Sequence, residues 1–401
     1  MASSFIDVCR FIPTAGGTTD WTYSSAVTGY QSPSAAGVVN GATYSYRAES
    51  ADLSQWEIGT GAYNTGTGVL ARTAVLFNSS GTTSKINFSS APQVAVVALA
   101  EDLRSFAPPQ GRLTLASATP VMTSSQSAKT TIYFTPYVGN SVPLYDGSNF
   151  VNTPFAEISV ATTDTTKNPA AIGASKVNDW FVWNDSGTLR LSHGPDWTND
   201  TTRSAGTALT MVNGVLLNNT SITNGPAASR GTYVGTTRSN ASSQLDWILG
   251  GVASGGVAGF LGVWNAYNRV TVSAASTDNG AAYTYSSSTV RQARASAGNQ
   301  ISVVYGLAED GTQIQYAGRV SLAASSAAAV FGIGVDSTSA FIGQGVLAGG
   351  VSTAGVGATA VYAAAPMLGL HVFAANEQSD GTNANNFNVA SQNAFSVLAR
   401  M

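Results

Sequence analysis

The chain has 401 residues, enough for two to four domains at ~100–200 residues each, and a formal net charge of −3 from 18 basic and 21 acidic side chains. Charged residues are 10% of it against the ~25% usual for globular domains, while hydrophobic residues reach 44% and aromatics 9%. That balance excludes a disordered chain, and the absence of any basic run excludes a nucleic-acid partner, since phosphate binding needs clustered Lys and Arg.

The single cysteine, Cys9, cannot close an intrachain disulfide and reads as a small strand hydrophobe. Stability must then come from packing and from burial of one protomer against another, which a surface of Ser, Thr, Asn, Gly and Ala suits. Residues 1–17 show no basic segment followed by an apolar run, so no secretory signal is expected. The small-residue tract 327–370 is interrupted by Asp336 and Gln344 short of ~20 apolar residues, which predicts sandwich strands and no membrane insertion.

In chain order, residues 1–106 read as one all-β module. Thr43-Tyr44-Ser45-Tyr46-Arg47 and the runs 69–72 and 94–99 have strand length, and Asn78-Ser79-Ser80-Gly81 is a turn signal. A proline hinge at 107–110 leads into a middle module, 111–245. Its block 129–150 opens with the β-rich Thr130-Thr131-Ile132-Tyr133-Phe134, and Pro136, Gly139-Asn140, Pro143 and Asp146-Gly147 punctuate the rest too closely for a helix. Alternating runs follow at 155–160, 179–183 and 188–192. Asn213-Gly214 predicts a hairpin between 209–212 and 215–217. A third module spans 246–401. It contains an echo of the first boundary, since 96–102 is matched by 303–310 and Gly111-Arg112-Leu113-Thr114-Leu115 by Gly318-Arg319-Val320-Ser321-Leu322. Two occurrences do not make a solenoid, and the acidic pairs Glu101-Asp102 and Glu309-Asp310 read as solvated turn residues.

Three segments carry a family resemblance. The block 111–150 resembles the strand-rich body of fibre proteins from tailed bacteriophages and phage-like particles, including prophages and gene transfer agents of alphaproteobacteria. Trp264-Asn265-Ala266-Tyr267-Asn268-Arg269, leading into Val270-Thr271-Val272, resembles a second element of such fibres. Gln55-Trp56-Glu57-Ile58-Gly59 followed by Leu70-Ala71-Arg72-Thr73 looks like the modules that tie them to the particle. The resemblance implies a virion fibre or spike, homotrimeric, docked to other virion proteins by residues 1–106 and exposed on the released particle. Its expected fold is all-β, with several stacked β-sandwich or jelly-roll-like domains in a short fibre. No sustained heptad supports a long coiled coil. Its expected function is attachment to the bacterial host, by binding cell-surface polysaccharide. The alternatives are a structural head or collar decoration and a glycan depolymerase tailspike.

The search for catalytic and metal motifs supports a binding protein over an enzyme. His193 and His371 stand far apart, and no His-x-x-x-His, Cys-x-x-Cys, Gly-x-Ser-x-Gly, Walker or EF-hand pattern occurs, so no metal or cofactor is expected. Cleavage of glycans would need paired carboxylates, for which Asp179, Asp185, Asp196 and Asp200 around Trp180, Trp183 and Trp197 are the candidates, although Asx turns account for them as well. Binding needs only a flat aromatic and hydrogen-bonding neighbours. His193, Asp196, Trp197, Asn199 and Arg203 supply that mixture in one predicted loop. Trp264 is expected to be buried, bracing a strand entrance, and at least one of Trp180 and Trp183 to be core.

Overall fold

The computed structural model describes residues 5–100, 102, 107–348, 355–389 and 393–401. The described residues are almost entirely β, with two single-turn 3-10 helices, Ala205–Thr207 and Ala293–Ala295. Among the described residues no helix is long and apolar enough to cross a membrane. The chain divides into two compact units, residues 1–105 and 106–401.

In the first unit strand pairing closes on itself. The order runs Thr43–Glu49, Gln93–Val96, Arg10–Pro13, Trp21–Ala26, Val69–Leu70 and Trp56–Asn64, and the last of these pairs again with Thr43–Glu49. Closure of this kind removes unpaired sheet edges. Phe11, Trp21, Tyr44, Tyr46, Leu70 and Phe88 fill the interior, and buried Cys9 joins them as a small hydrophobe, its thiol pushed up to about 11 by burial.

One position of that interior is ionic. The Trp56–Asn64 strand alternates so that Glu57, Gly59, Gly61 and Tyr63 face inward. A carboxylate inside an apolar barrel requires a cation and further donors. Arg72 supplies the cation, and both side chains are fully buried. Tyr46 Oη and the Ile86 main-chain N each donate to Glu57 at 2.8 Å. The remaining Arg72 donors reach the carbonyls of Gly17 at 3.1 Å and Ile86 at 2.9 Å, and its guanidinium lies 4.8 Å from the Trp21 ring centre. The neighbouring glycines make this approach fit: a Cβ at Gly61 would stand 1.5 Å from the Ala71 carbonyl oxygen. The two sequence segments that look like a particle-tying module are thus the two halves of one buried ion pair.

The second unit, 106–401, takes in both the middle and the third module read from the sequence. Strands from the two sides of residue 245 share sheets: Gln126–Lys129 pairs with Leu245–Ile248, and Thr232–Arg238 pairs with Val263–Asn265. One continuous core runs from Leu113 to Met401. The proline segment is fastened to this unit by its second half, with the Pro109 carbonyl accepting from Asn268 Nδ2 at 2.7 Å and the Gln110 main-chain N donating to Ser141 at 3.0 Å. The Asn213-Gly214 hairpin forms as expected. Leu209–Val212 pairs antiparallel with Val215–Asn218, and both turn residues take the positive φ that such a turn demands.

Removing one partner from a fully buried ion pair leaves an uncompensated charge, which costs about 3–5 kcal/mol. Arg72→Met is therefore expected to lower stability by that amount in urea denaturation. A loss under about 1 kcal/mol would show that the pair does not organise the barrel.

Candidate functional site

The first and second segments of the family resemblance meet. Leu113 is hydrogen-bonded at both main-chain groups by the Asn265 side chain, its N donating to Oδ1 at 2.6 Å and its carbonyl accepting from Nδ2 at 3.4 Å. Buried Arg112 donates to the main-chain oxygens of Pro120, Asn268 and Met401, and desolvation pushes its pKa down to about 10. Arg269 lies 5.0 Å from the centre of the buried Trp264 ring and pairs with Glu309 at 2.7 Å and Asp310 at 2.9 Å. The Glu309-Asp310 turn is therefore an ion-pair anchor where the sequence suggested simple solvation, while its counterpart Glu101 lies outside the described residues. These motifs are braces, and Trp264 is buried as expected.

The predicted sugar-binding loop is placed differently from expectation. The Thr188–Asp196 strand runs on through His193 and Pro195 against Val177–Asp185, carrying His193 inside at 2% exposure. Pro195 is tolerated because this is an edge strand, where its missing N–H leaves no ladder bond unmade. The His193 main-chain N donates to Asn168 Oδ1 at 2.7 Å, and its ring nitrogens face the carbonyls of Gly194 at 2.7 Å and Ala170 at 3.0 Å. Burial outweighs those carbonyls and holds the imidazole below its ordinary pKa. Trp197 is 3% exposed, and the Arg203 guanidinium covers its ring at 4.3 Å from the centre. Arg203 in turn clasps buried Asp179 through Nε at 2.9 Å and Nη2 at 3.1 Å, and donates to the Gly306 carbonyl at 2.7 Å. Asp196 accepts from Asn178 at 2.9 Å. Asn199 alone of the five is exposed, and it caps its own turn by accepting from the Thr201 N at 2.9 Å. Trp197 and His193 thus offer no stacking face, because strand continuation and the Asp179–Arg203 clasp draw them into the core.

The four carboxylates of the depolymerase reading each have a partner. Asp179 has Arg203, Asp196 has Asn178, Asp200 has Arg238 at 3.2 Å, and Asp185 has Lys167 at 2.7 Å and Arg190 at 3.4 Å. Trp180 and Trp183 are both core, donating to Thr237 and Ser192 at 2.8 Å. Of the seven tryptophans only Trp56 is left half-open, beside an apolar groove of about 480 Å3 formed with Arg47, Ile58, Val97 and Leu99 in the first unit. Among the described residues no three His, Cys, Asp or Glu side chains gather as metal ligands.

An open cleft of about 300 Å3 lies on the second unit, within the size range of small-ligand sites. It forms where two sheet edges come side by side, the Ile158–Ala161 strand and the first half of Thr188–Asp196. Half-buried Ile158, Val160 and Leu189 give it apolar lining. The 164–168 turn supplies the rim: Asp164 accepts from the main-chain N of Thr166 and Lys167, each at 3.1 Å, and from Asn168 Nδ2 at 2.7 Å. Lys167 and Arg190 both reach Asp185, and the Lys167 hydrogen bond leads in holding that carboxyl below its usual pKa. Opposed charges at the rim balance, leaving hydrogen-bonding groups over an apolar base. No sequence signal marked this cleft, because its two edges are some thirty residues apart and neither carries an aromatic.

A second buried polar cluster also went unsignalled. Glu377, fully buried, accepts from Tyr283 Oη, from Arg291 Nε at 2.8 Å and from the Arg294 N at 3.2 Å, while Arg294 Nε reaches buried Asp278 at 2.6 Å. Its members are far apart in sequence and share no motif.

No family model matches the chain, and no curated protein matches it. Among solved structures it is similar to a tryptic core variant of Cry1Da from Bacillus thuringiensis, at 8% identity and a TM-score of 0.18, over 69% of this chain and 50% of that one. The chain thus spans about half the length of that structure, and a likeness this slight carries no argument about function.

Two outcomes are expected from the loop. Arg203→Ala should destabilise the fold by about 3–5 kcal/mol, as a core change does, and more at high pH where stranded Asp179 stays ionised. A loss within about 0.5 kcal/mol, typical of surface positions, would contradict the clasp. For His193 the depressed folded pKa means that its contribution is complete above the unfolded value of about 6.5 and is lost as pH falls below it. Denaturation midpoints measured between about pH 7 and 5 should decline with acid, and His193→Gln should flatten that part of the slope.

Proposed function

We propose that the chain is an attachment protein of a tailed bacteriophage or phage-like particle, a homotrimeric fibre or spike. The first unit docks to other virion proteins, and the second is presented to the bacterial surface, where it binds polysaccharide. The resemblance of three segments supports the family reading, and their use as braces inside each β unit is consistent with a rigid, disulfide-free particle component. The apolar groove beside Trp56 offers the first unit a seat for a particle protein.

The cleft between Ile158–Ala161 and Thr188–Asp196 is the observation that carries the binding half of the proposal. Its apolar base suits the C–H face of a sugar ring, and Ser159, Thr166, Lys167 and Arg190 suit its hydroxyls. Balanced charge favours a neutral, hydroxyl-rich ligand over a phosphate or an acidic peptide. One such site binds weakly, and copies on one particle raise avidity without new contacts.

Lys167→Ala and Arg190→Ala are expected to weaken binding to host cells and to purified surface polysaccharide, with stability unchanged to within roughly 0.5 kcal/mol. Unchanged binding in both variants would remove the cleft from the proposal. Release of oligosaccharide from the purified polymer would replace binding with depolymerisation.

A further inference from the structure

One sheet face of the second unit is exposed, and its central rows carry no charge. Five strands lie side by side in the order Gly250–Ala253, Thr271–Asp278, Asn393–Arg400, Thr312–Ser321 and Val356–Ala364. Alternation sends Val272, Ala274, Ile314, Tyr316, Phe395 and Val397 into the core, and the residues between them outward. Register aligns the outward residues in rows. Ser273 stands beside Leu398, Gln313 and Ala363, and the next row is Ala275, Ser396, Gln315 and Val361. None of these eight residues is charged, and Val361 at the far side is 67% exposed. Arginines occur only in the flanking rows, Arg400 opposite Thr271 and Arg319 opposite Gly357. Other exposed strands of this chain carry ion pairs, Arg47 with Glu49 in the first unit and Arg190 with Asp185 beside the cleft.

We infer that this face is where a second copy of the chain packs, sheet against sheet. The inference deepens the oligomer named in the proposed function. Three properties select a second copy as occupant. Central rows without charge recognise no ionic partner, yet they meet their own image with no ion to desolvate and no like charges opposed, Arg400 and Arg319 lying in rows outside them. Its Gln, Ser and Thr side chains both donate and accept, so each can bond its counterpart in another copy. Counted with the flanking rows that carry Arg319 and Arg400, four strands of about eight residues and one of four, at ~4.8 Å spacing and ~3.4 Å rise, cover roughly 600 Å2, or about 1,200 Å2 for the pair, above the ~1,000 Å2 that a specific interface needs.

The test is the mass in solution of the full chain and of variants with one acidic residue in the face. Light scattering should give a multiple of 40.9 kDa for the wild type and 40.9 kDa itself for Gln315→Glu and Val361→Glu. Ser273→Glu, at a third outward position, covers the case in which one of those misfolds, with unchanged melting as the check on folding. Thr188→Glu, exposed on a different sheet, should leave the assembly intact. A monomeric wild type at every concentration overturns the inference. So does a multimer that survives all three face substitutions, although the homotrimer reading would then stand on another surface. Binding of polysaccharide by a monomeric variant keeps the test of the cleft separate.

Discussion

An arginine enclosed by a nearly uncharged β framework must be met by oxygen atoms on every side, and both units are built around meeting that demand. In the first, Arg72 reaches Glu57 and the carbonyls of Gly17 and Ile86, so one side chain holds the segments around residues 17, 57 and 86 together. In the second, Arg112 does this with carbonyls alone, joining residues 120, 268 and 401. Arg203 and Arg269 fasten loops to buried or half-buried carboxylates and lie over tryptophan rings. The planar fork of guanidinium suits this, since it bonds in several directions and still stacks on an aromatic face.

The cost of each arrangement is desolvation, and specificity is what it provides. A strand slipped by one residue would send Glu57 outward and leave Arg72 buried without its carboxylate, a penalty far above that of losing one apolar contact. Register in the barrel is thus fixed by charge as well as by hydrophobic alternation. The same reasoning applies to Asn265, whose side chain closes on both main-chain groups of Leu113 in place of a neighbouring strand.

Strand periodicity and turn chemistry were legible because they are local. The strand-length run 43–47, the Asx turn at Asn78 and the Asn213-Gly214 hairpin depend on residues within a few positions of one another. The segments Trp56-Glu57-Ile58-Gly59 and Trp264-Asn265-Ala266-Tyr267-Asn268-Arg269 stood out only by their resemblance to fibre proteins, which names no partner for their polar residues. What could not be read was the pairing. Whether Trp197 faces solvent depends on Asp179, eighteen residues earlier, and on a strand that continues through a proline, which the polar sequence 193–203 presents as a loop. The cleft was hidden for the same reason, since two sheet edges become neighbours only after the sheets have formed.

Spending arginine and carboxylate on internal braces has a consequence for the surface. Charges paired within a few ångströms project little field beyond a Debye length of roughly 8 Å, so the outside of this chain exerts weak long-range steering on partners. Association must then rest on shape, apolar contact and neutral hydrogen bonds, whose strength varies little with salt. Under the proposed function, in which the chain meets a hydrated polysaccharide outside the cell, this would trade fast electrostatic capture for binding that tolerates changing ionic strength. On that proposal, residence on the surface would be set by how many weak sites engage together, and so by how firmly the proposed copies are held in one assembly.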